Sequence, residues 1–360
     1  MLYKLESLRG IAAILVVLHH IDWGNGSNWF IKNSLLFVDF FFVLSGFVIS
    51  LAYTQKINKG MSFFYYFGLR LARLYPLHFF VMILWLPYMG AKYYLYSSGF
   101  GGVDPALTEN AKSFFVVLFL LNSVGFLDYL SWNVPSWSIG AEIIAYAYFF
   151  FTIYTVKKFN LSVKWIFLFI SILCYVLIYL IKGPHIAQIT EWAFLRCIGA
   201  FSLGCVVFRI FNSSHSKLFV NLHEYLSILL VILSVTLVGV SQYFAYVAVV
   251  VFAYTIYVYA HQESGLLGKL LETPVAKALG RWSYSIYMVH MLFVSSISDF
   301  FEHILKLGHK NIPWIGYWCI NTAVLAIIIL FASMTYRWIE LPCRNYFRKK
   351  LDKHYLPVKN

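Results

Sequence analysis

Charge is what this chain has least of. Lys, Arg, Asp and Glu make up only 12% of its 360 residues, while 61% are hydrophobic and 20% aromatic. An ordinary soluble domain carries about 25% charged residues. With a mean hydropathy of +0.73, the apolar excess is too large for one water-soluble core, which leaves a polytopic membrane protein. No hydrophilic block is long enough for a separate soluble domain, since the longest polar interruptions, around Tyr88–Lys112 and His261–Arg281, are loop-sized. The five cysteines (Cys174, Cys197, Cys205, Cys319, Cys343) show no CxxC or metal-like spacing, so they read as free thiols and no metal is expected. Neither a repeat of fixed period nor an inverted repeat is visible, which counts against many transporter folds. Met1–Arg9 is too short and too acidic for a signal-peptide leader, and the first apolar segment is expected to be retained.

What the chain does have is apolar segments, at 8–22, 33–53, 71–90, 112–130, 136–156, 163–182, 190–211, 222–241, 243–260, 283–301 and 314–337. The net charge of +13 comes mainly from Lys and Arg near segment ends, and in a membrane protein such charge reports orientation. It is not read as a nucleic-acid site. Lys4/Arg9, Lys56/Lys59/Arg70/Arg73, Lys157/Lys158/Lys164, Arg209/Lys217, Lys269/Lys277/Arg281 and Arg344/Arg348/Lys349/Lys350 mark the cytoplasmic loops. Segments alternate correctly except between Arg73 and Lys157, where three candidates lie and an even number is needed. The region 112–142, broken by Asn122, Gly125, Asp128 and an NVPSW run, is therefore expected to hold a re-entrant or partial helix. The expected fold is an all-α bundle of about ten spanning helices with both termini cytoplasmic. It comprises a single transmembrane domain, 1–342, and a basic cytoplasmic tail, 343–360.

The organising stretch is Leu5 to Asp22, LESLRGIAAILVVLHHID. Arg9 and His20 are eleven residues apart, which returns to within ~20° of the same direction on a helix, so both lie on one stripe. The rise of about 16 Å is half the ~30 Å hydrocarbon core. With Arg9 at one face, His20 sits near mid-membrane, where a titratable side chain is by default a functional-site candidate; His19 points ~80° away. Arg70 and Arg73 share a helix face and read either as a positive-inside anchor or as a phosphate clamp. Asp39 is a lone carboxylate in LLFVDFFFVLSGF. It either pairs with an Arg or His to fix helix packing, or orients His20. Glu142 follows Ser136 and Ser138 in PSWSIGAEI, and is either part of a helix-capping arrangement or a carboxylate for a sugar hydroxyl or a proton relay. His290 closes GRWSYSIYMVH, in which Ser283, Tyr287 and His290 form an i, i+4, i+7 stripe beside Tyr284 and Ser285. Arg281 puts His290 about 13 Å inward, close to the depth of His20. A lone buried imidazole is most often a satisfied core histidine; two at matching depth favour a shared polar cavity. The tail YRWIELPCRNYFRKK stops at Pro342, and its basic run suits anionic lipid; no chemistry is assigned to it.

At these residues the chain resembles the membrane-bound acyltransferase-3 family, in the stand-alone form without an esterase-like domain. The matching pieces are LESLRGIAAILVVLHH, VDFFFVLSGFVIS, the Arg-x2-Arg of RLARLYP, PSWSIGAEI, GRWSYSIYMVH and YRWIELP, in family order across Leu5–Pro342. The resemblance implies a bacterial inner-membrane enzyme transferring an acyl group, usually acetyl from acetyl-CoA, to a saccharide hydroxyl, as in lipopolysaccharide, exopolysaccharide or another glycan. The family's functional positions fall on Arg9, His20, Arg70, Arg73 and Glu142. The expected scheme has Arg9, Arg70 and Arg73 holding the CoA phosphates and His20 as general base. Asp39 or Glu142 would set its tautomer, with Ser136, Trp137, Ser138, Tyr284, Tyr287 and His290 lining the cavity. A transient acyl-enzyme stays open. The rival class is a proton-coupled carrier or flippase using Asp39, Glu142, His20 and His290 as a relay.

Overall fold

The apolar segments fold as helices because in hydrocarbon every backbone N–H and C=O must find its partner within the chain. A computed structural model describes residues 2–21, 28–100, 103–186, 192–213, 220–261, 263–306 and 314–355. Four positions read above, Asp22, Lys217 and the first two residues of segment 190–211, lie outside them, as does the tail beyond Tyr355. The helices are α1 Tyr3–Ile21, α2 Trp29–Lys32, α3 Phe37–Asn58, α4 Phe63–Ser97, α5 Ala111–Leu118, α6 Ser136–Lys158 and α7 Val163–Lys182. There follow α8 Ala193–Ser213, α9 Val220–Leu237, α10 Phe244–Ala260, α11 Leu266–Leu271, α12 Pro274–Asp299, α13 Trp314–Thr335 and α14 Leu341–Tyr355. The described residues contain no strand, and the fold is a polytopic membrane helical bundle.

Among the described residues, seven helices are long and apolar enough to cross a membrane: α3, α4, α6, α7, α8, α9 and the segment containing α13. α10 is apolar but has 17 residues. α1 and α12 fall short for a different reason. They carry the polar side chains, with Lys4, Glu6, Arg9, His19 and His20 on α1 alone. All three are long and pack among the others, so among the described residues ten helices are long, against the ten spanning helices expected, and seven of them meet the length and apolarity needed to cross. The outward face of α7 (Trp165, Phe169, Leu180) is exposed and apolar, as a lipid-facing surface must be. α4, 35 residues with Pro76 and Pro87 inside it, is roughly 50 Å long and so overruns the hydrocarbon core. Its start is capped by Ser62, whose hydroxyl accepts the Tyr65 N–H at 3.3 Å.

Segment 112–130 departs from a continuous helix. Only α5 is helical, and the chain then runs irregularly to Pro135. Leu120 and Trp132 adopt left-handed backbone, φ 59° and 52°, which bulky residues rarely do. This run is fastened by side chains: Asn122 donates to Ser136 Oγ at 2.9 Å, Trp132 Nε1 to Ser113 Oγ at 3.0 Å, and Asn133 to the Met288 carbonyl of α12 at 3.2 Å. Such contacts let non-helical backbone persist at depth.

Two crossings organise the bundle, and both are made by glycine. At α1/α12, a methyl group on Gly10 would lie 2.6 Å from the Gly280 nitrogen, and one on Gly280 would overlap the Glu6 carbonyl. At α3/α8, Gly46 meets the Phe201 carbonyl and Gly204 meets that of Val43, again with no room for a side chain. Small residues permit this backbone approach in membranes. The second crossing also holds an ion pair: Arg196 of α8 grips Asp39 of α3 through Nε–Oδ1 at 2.8 Å and Nη2–Oδ2 at 2.7 Å. Both side chains are fully buried. Removing one partner of such a pair leaves an uncompensated charge, whereas replacing both is tolerated. Asp39→Leu is therefore expected to lower stability by about 3–5 kcal/mol, and Asp39→Leu with Arg196→Met to recover most of it. Unfolding of the purified protein in detergent measures both.

Candidate functional site

Close packing of α1 on α12 puts Arg9 against Ser283: Arg9 Nε donates to Ser283 Oγ at 2.8 Å and Nη2 to the Gly280 carbonyl at 3.5 Å. These residues border a hollow of about 90 Å³ between α1, α3, α4, α6 and α12, which is lined by Arg9, Arg73, Ser45, Ser138, Glu142, Tyr146, Tyr284 and Tyr287 among apolar neighbours. The Glu142 carboxylate is held by two hydroxyls, both on Oε1: Ser45 at 2.5 Å and Tyr146 at 2.5 Å. Tyr284 OH donates to the Leu74 carbonyl at 2.6 Å, fastening α12 beside Arg73.

Arg73 also borders a second, wider cavity of about 880 Å³ at one end of the bundle. This vestibule collects Lys56, Lys59, Arg70, Arg73, Arg344 and Arg348, with Asp352 as its one carboxylate among the described residues. Arg70 lies over the Tyr53 ring, 4.7 Å from its centroid, and donates to the Tyr53 hydroxyl. Arg70 and Arg73, neighbours on one helix face, thus serve different chambers: Arg70 the vestibule alone, Arg73 both.

The imidazoles stand deeper. The rings of His20 and His290 lie 4.9 Å apart, and His290 is fully buried. Each directs Nδ1 at a carbonyl of its own helix: His20 at Val16 O, 2.9 Å, and His290 at Tyr287 O, 2.7 Å. A carbonyl only accepts, so each Nδ1 carries the hydrogen, and the neutral ring holds its lone pair on Nε2. Nε2 of His290 is buried with no hydrogen-bond partner. Neither imidazole lines the hollow, and Tyr287, which does, stands next to His290. The Tyr287 ring centroid is 5.8 Å from that of His290 and 5.7 Å from that of Phe41, and its hydroxyl meets Ser138 Oγ at 2.8 Å.

The candidates therefore divide. Arg9, Arg73, Ser138, Glu142, Tyr284 and Tyr287 line the hollow, while His20 and His290 do not. Asp39 is taken up by Arg196, and Trp137 sits under that guanidinium, 5.6 Å from ring centroid to Cζ. Ser136 is held by Asn122 in the irregular run. Three expectations are corrected. Asp39 and Glu142 do not set the histidine tautomers, because backbone carbonyls already occupy both Nδ1 atoms. Glu142 is not part of a cap: Pro135 takes the cap position with no side-chain bond, and Ser138 bonds back to Pro135 O at 3.0 Å. His20 and the two guanidinium groups of α4 do not face one undivided hollow. Reading the chain also passed over Arg196, Ser45 and Tyr146. Arg196 was signalled by the same sign as Asp39, a lone charge in an apolar run, and Tyr146 by its i+4 spacing from Glu142. Glu340, given no role above, is buried and accepts from Ser285 Oγ at 2.8 Å.

At the opposite ends of α4 and α12 lies a third cavity, about 570 Å³, lined by Tyr88, Tyr96, Phe100, Asp104 and Asp299 among others. Tyr88 OH donates to Asp299 at 2.5 Å, and Lys92 pairs with the same carboxylate at 3.0 Å. Ser296 on its wall is six residues beyond His290, a rise of about 9 Å. Among the described residues, no group of three or more His, Cys, Asp or Glu is placed to hold a metal ion.

A family profile described as an acyltransferase domain matches residues 2–337. The chain is similar to the peptidoglycan O-acetyltransferase OatA of Listeria monocytogenes serovar 1/2a, 25% identical over 395 residues, covering 99% of this chain and 59% of that protein. It is also similar to "Protein 2 in picA locus" of Rhizobium radiobacter, 37% identical over 92 residues, covering 25% of this chain and 47% of that protein. The chain thus spans about three fifths of the length of the first relative. No solved structure matches it.

The ring tautomers are directly measurable. Nitrogen NMR of 15N-histidine-labelled protein in nanodiscs is expected to find Nδ1 protonated and Nε2 bare for His20 and His290 at neutral pH. Bare Nδ1 atoms would show that the helix carbonyls do not set the tautomer.

Proposed function

The chain belongs to the acyltransferase-3 family, and from that premise we propose that it is a bacterial inner-membrane O-acyltransferase. It moves an acyl group, acetyl in the first instance, from acyl-CoA to a hydroxyl of a saccharide or lipid-linked glycan. The observation that carries this reading is the cationic vestibule meeting a narrow polar hollow at Arg73. CoA is a polyanion with a long, thin thioester arm. Guanidinium groups at the wide chamber suit its phosphates, and the 90 Å³ hollow suits a short acyl group. By the positive-inside rule the vestibule faces the cytoplasm, where acyl-CoA is made, and both termini lie on that side.

The aromatic and acidic cavity at the other end of α4 and α12 is where the acceptor enters. Aromatic faces and carboxylates are the partners that sugar rings and hydroxyls use. Tyr287 is the partition between donor and imidazoles and turns away from Ser138 for transfer. His20 Nε2 then takes the proton of the acceptor hydroxyl as its oxygen attacks the thioester carbonyl. The C–S bond breaks, the ester forms, and the departing sulfur takes the proton back from the imidazolium. Imidazole suits both steps because its ordinary pKa lies near neutrality. Glu142, fixed by Ser45 and Tyr146, and Arg9 set the charge lining the hollow.

Two measurements test this. His20→Ala is expected to lower acyl transfer by about 10²–10⁴-fold while the protein still inserts and is still stabilised by CoA, by about 2.7 kcal/mol at a hundredfold excess over Kd. Retained transfer would remove His20 from the mechanism, and a wild-type protein that CoA does not stabilise would favour a carrier. Arg73→Lys keeps the charge but loses the bidentate fork. Its affinity for CoA is expected to fall about tenfold, and unchanged binding would reduce Arg73 to a simple point charge.

A further inference from the structure

We propose that the C-terminal helix α14 completes the donor site, with Arg344 and Arg348 binding the phosphate-bearing end of the CoA nucleotide. The inference rests on the reading that the donor is acyl-CoA. Three separate parts of the chain bring their cations to one chamber: Lys56 and Lys59 at the end of α3, Arg70 and Arg73 on α4, and Arg344 and Arg348 on α14. Like charges gathered round one cavity repel unless an anion lies among them. The carboxylate there, Asp352, is already used, accepting from Tyr65 OH at 2.6 Å and lying 3.7 Å from Arg348 Nε.

α14 is also docked rather than floating at the lipid surface. Tyr65 holds it twice, through Asp352 and by ring contact with Tyr355 at 5.6 Å. Beside that latch, Leu351 lies against Gly68, where a methyl group would come within 3.0 Å of it. The helix sorts its cations by type. Arg344 and Arg348, one turn apart, border the vestibule, whereas Lys350 and Lys353 border a separate apolar groove along α4 and α6. Guanidinium forks grip phosphate oxygens in pairs; an ammonium is a strongly hydrated point charge suited to a headgroup at the membrane surface. The vestibule therefore takes the nucleotide, and the groove faces lipid.

CoA differs from 3′-dephospho-CoA by one phosphate, which makes the pair a probe of this contact. Full-length protein is titrated with each, in nanodiscs of neutral phosphatidylcholine and in nanodiscs containing phosphatidylglycerol. Wild type is expected to prefer CoA in both membranes. Arg344→Gln with Arg348→Gln is expected to lose about tenfold or more in CoA affinity and to bind the two ligands alike. Tyr65→Phe, which loosens the latch without changing charge, is expected to fall between, which guards against a folding artefact in the double variant. A double variant that keeps wild-type CoA affinity and preference overturns the proposal while leaving the donor reading intact. One that keeps them but loses a stabilisation by phosphatidylglycerol assigns the arginines to a lipid headgroup instead. A wild-type protein that binds neither nucleotide overturns both readings.

Discussion

Everything at the polar centre depends on how closely α1 and α12 can approach. Where Gly10 meets Gly280 the backbones touch directly, so side chains on either side of the contact must meet as well. At the crossing this produces the Arg9–Ser283 bond; eleven and seven residues further along the two helices it produces the His20–His290 pair. A single alanine at the crossing would move both together. The two helices that fail the apolarity needed to span by composition alone are thereby placed where their polarity is shielded by the seven that meet it.

Around the polar centre the carboxylates follow one rule for charge in an apolar medium: each is held by a partner from another part of the bundle or from its own helix. Asp39 has Arg196, Glu142 has Ser45 and Tyr146, and Glu340 has Ser285. The His290 Nε2 atom has no partner. An unpaired buried acceptor costs about 1–3 kcal/mol, and such groups persist where a redox or catalytic role or an unseen water explains them. The backbone carbonyls of Val16 and Tyr287 do here what a carboxylate does in many histidine sites, fixing which nitrogen is bare, and they add no charge to the membrane interior.

Legibility in the chain followed geometry along single helices. Spacing along α1 and α12 converts directly into depth, so the matched heights of His20 and His290 could be read from residue counts. The break after α5 was visible in the Asn, Gly, Asp and Pro of 122–135, although the length of α5 itself was not. Contacts between helices far apart in the chain left little trace. Asp39 and Arg196 are 157 residues apart, and nothing in either segment names the other. The place of Tyr287 was hidden for the same reason, since its role depends on where α6 puts Ser138. The basic tail suits anionic lipid on composition alone, because composition reports charge and not direction; beside the dock at Tyr65 and Gly68, Arg344 and Arg348 border the vestibule.

The Asp39–Arg196 pair also sets an order on the making of the protein. A ribosome adding about 5–20 residues per second needs roughly ten to thirty seconds to travel from α3 to α8. Through that interval the carboxyl lacks the guanidinium it grips in the finished bundle, and the glycine crossing of α3 on α8 cannot close. The later-made half of the crossing thus decides when the earlier half can settle.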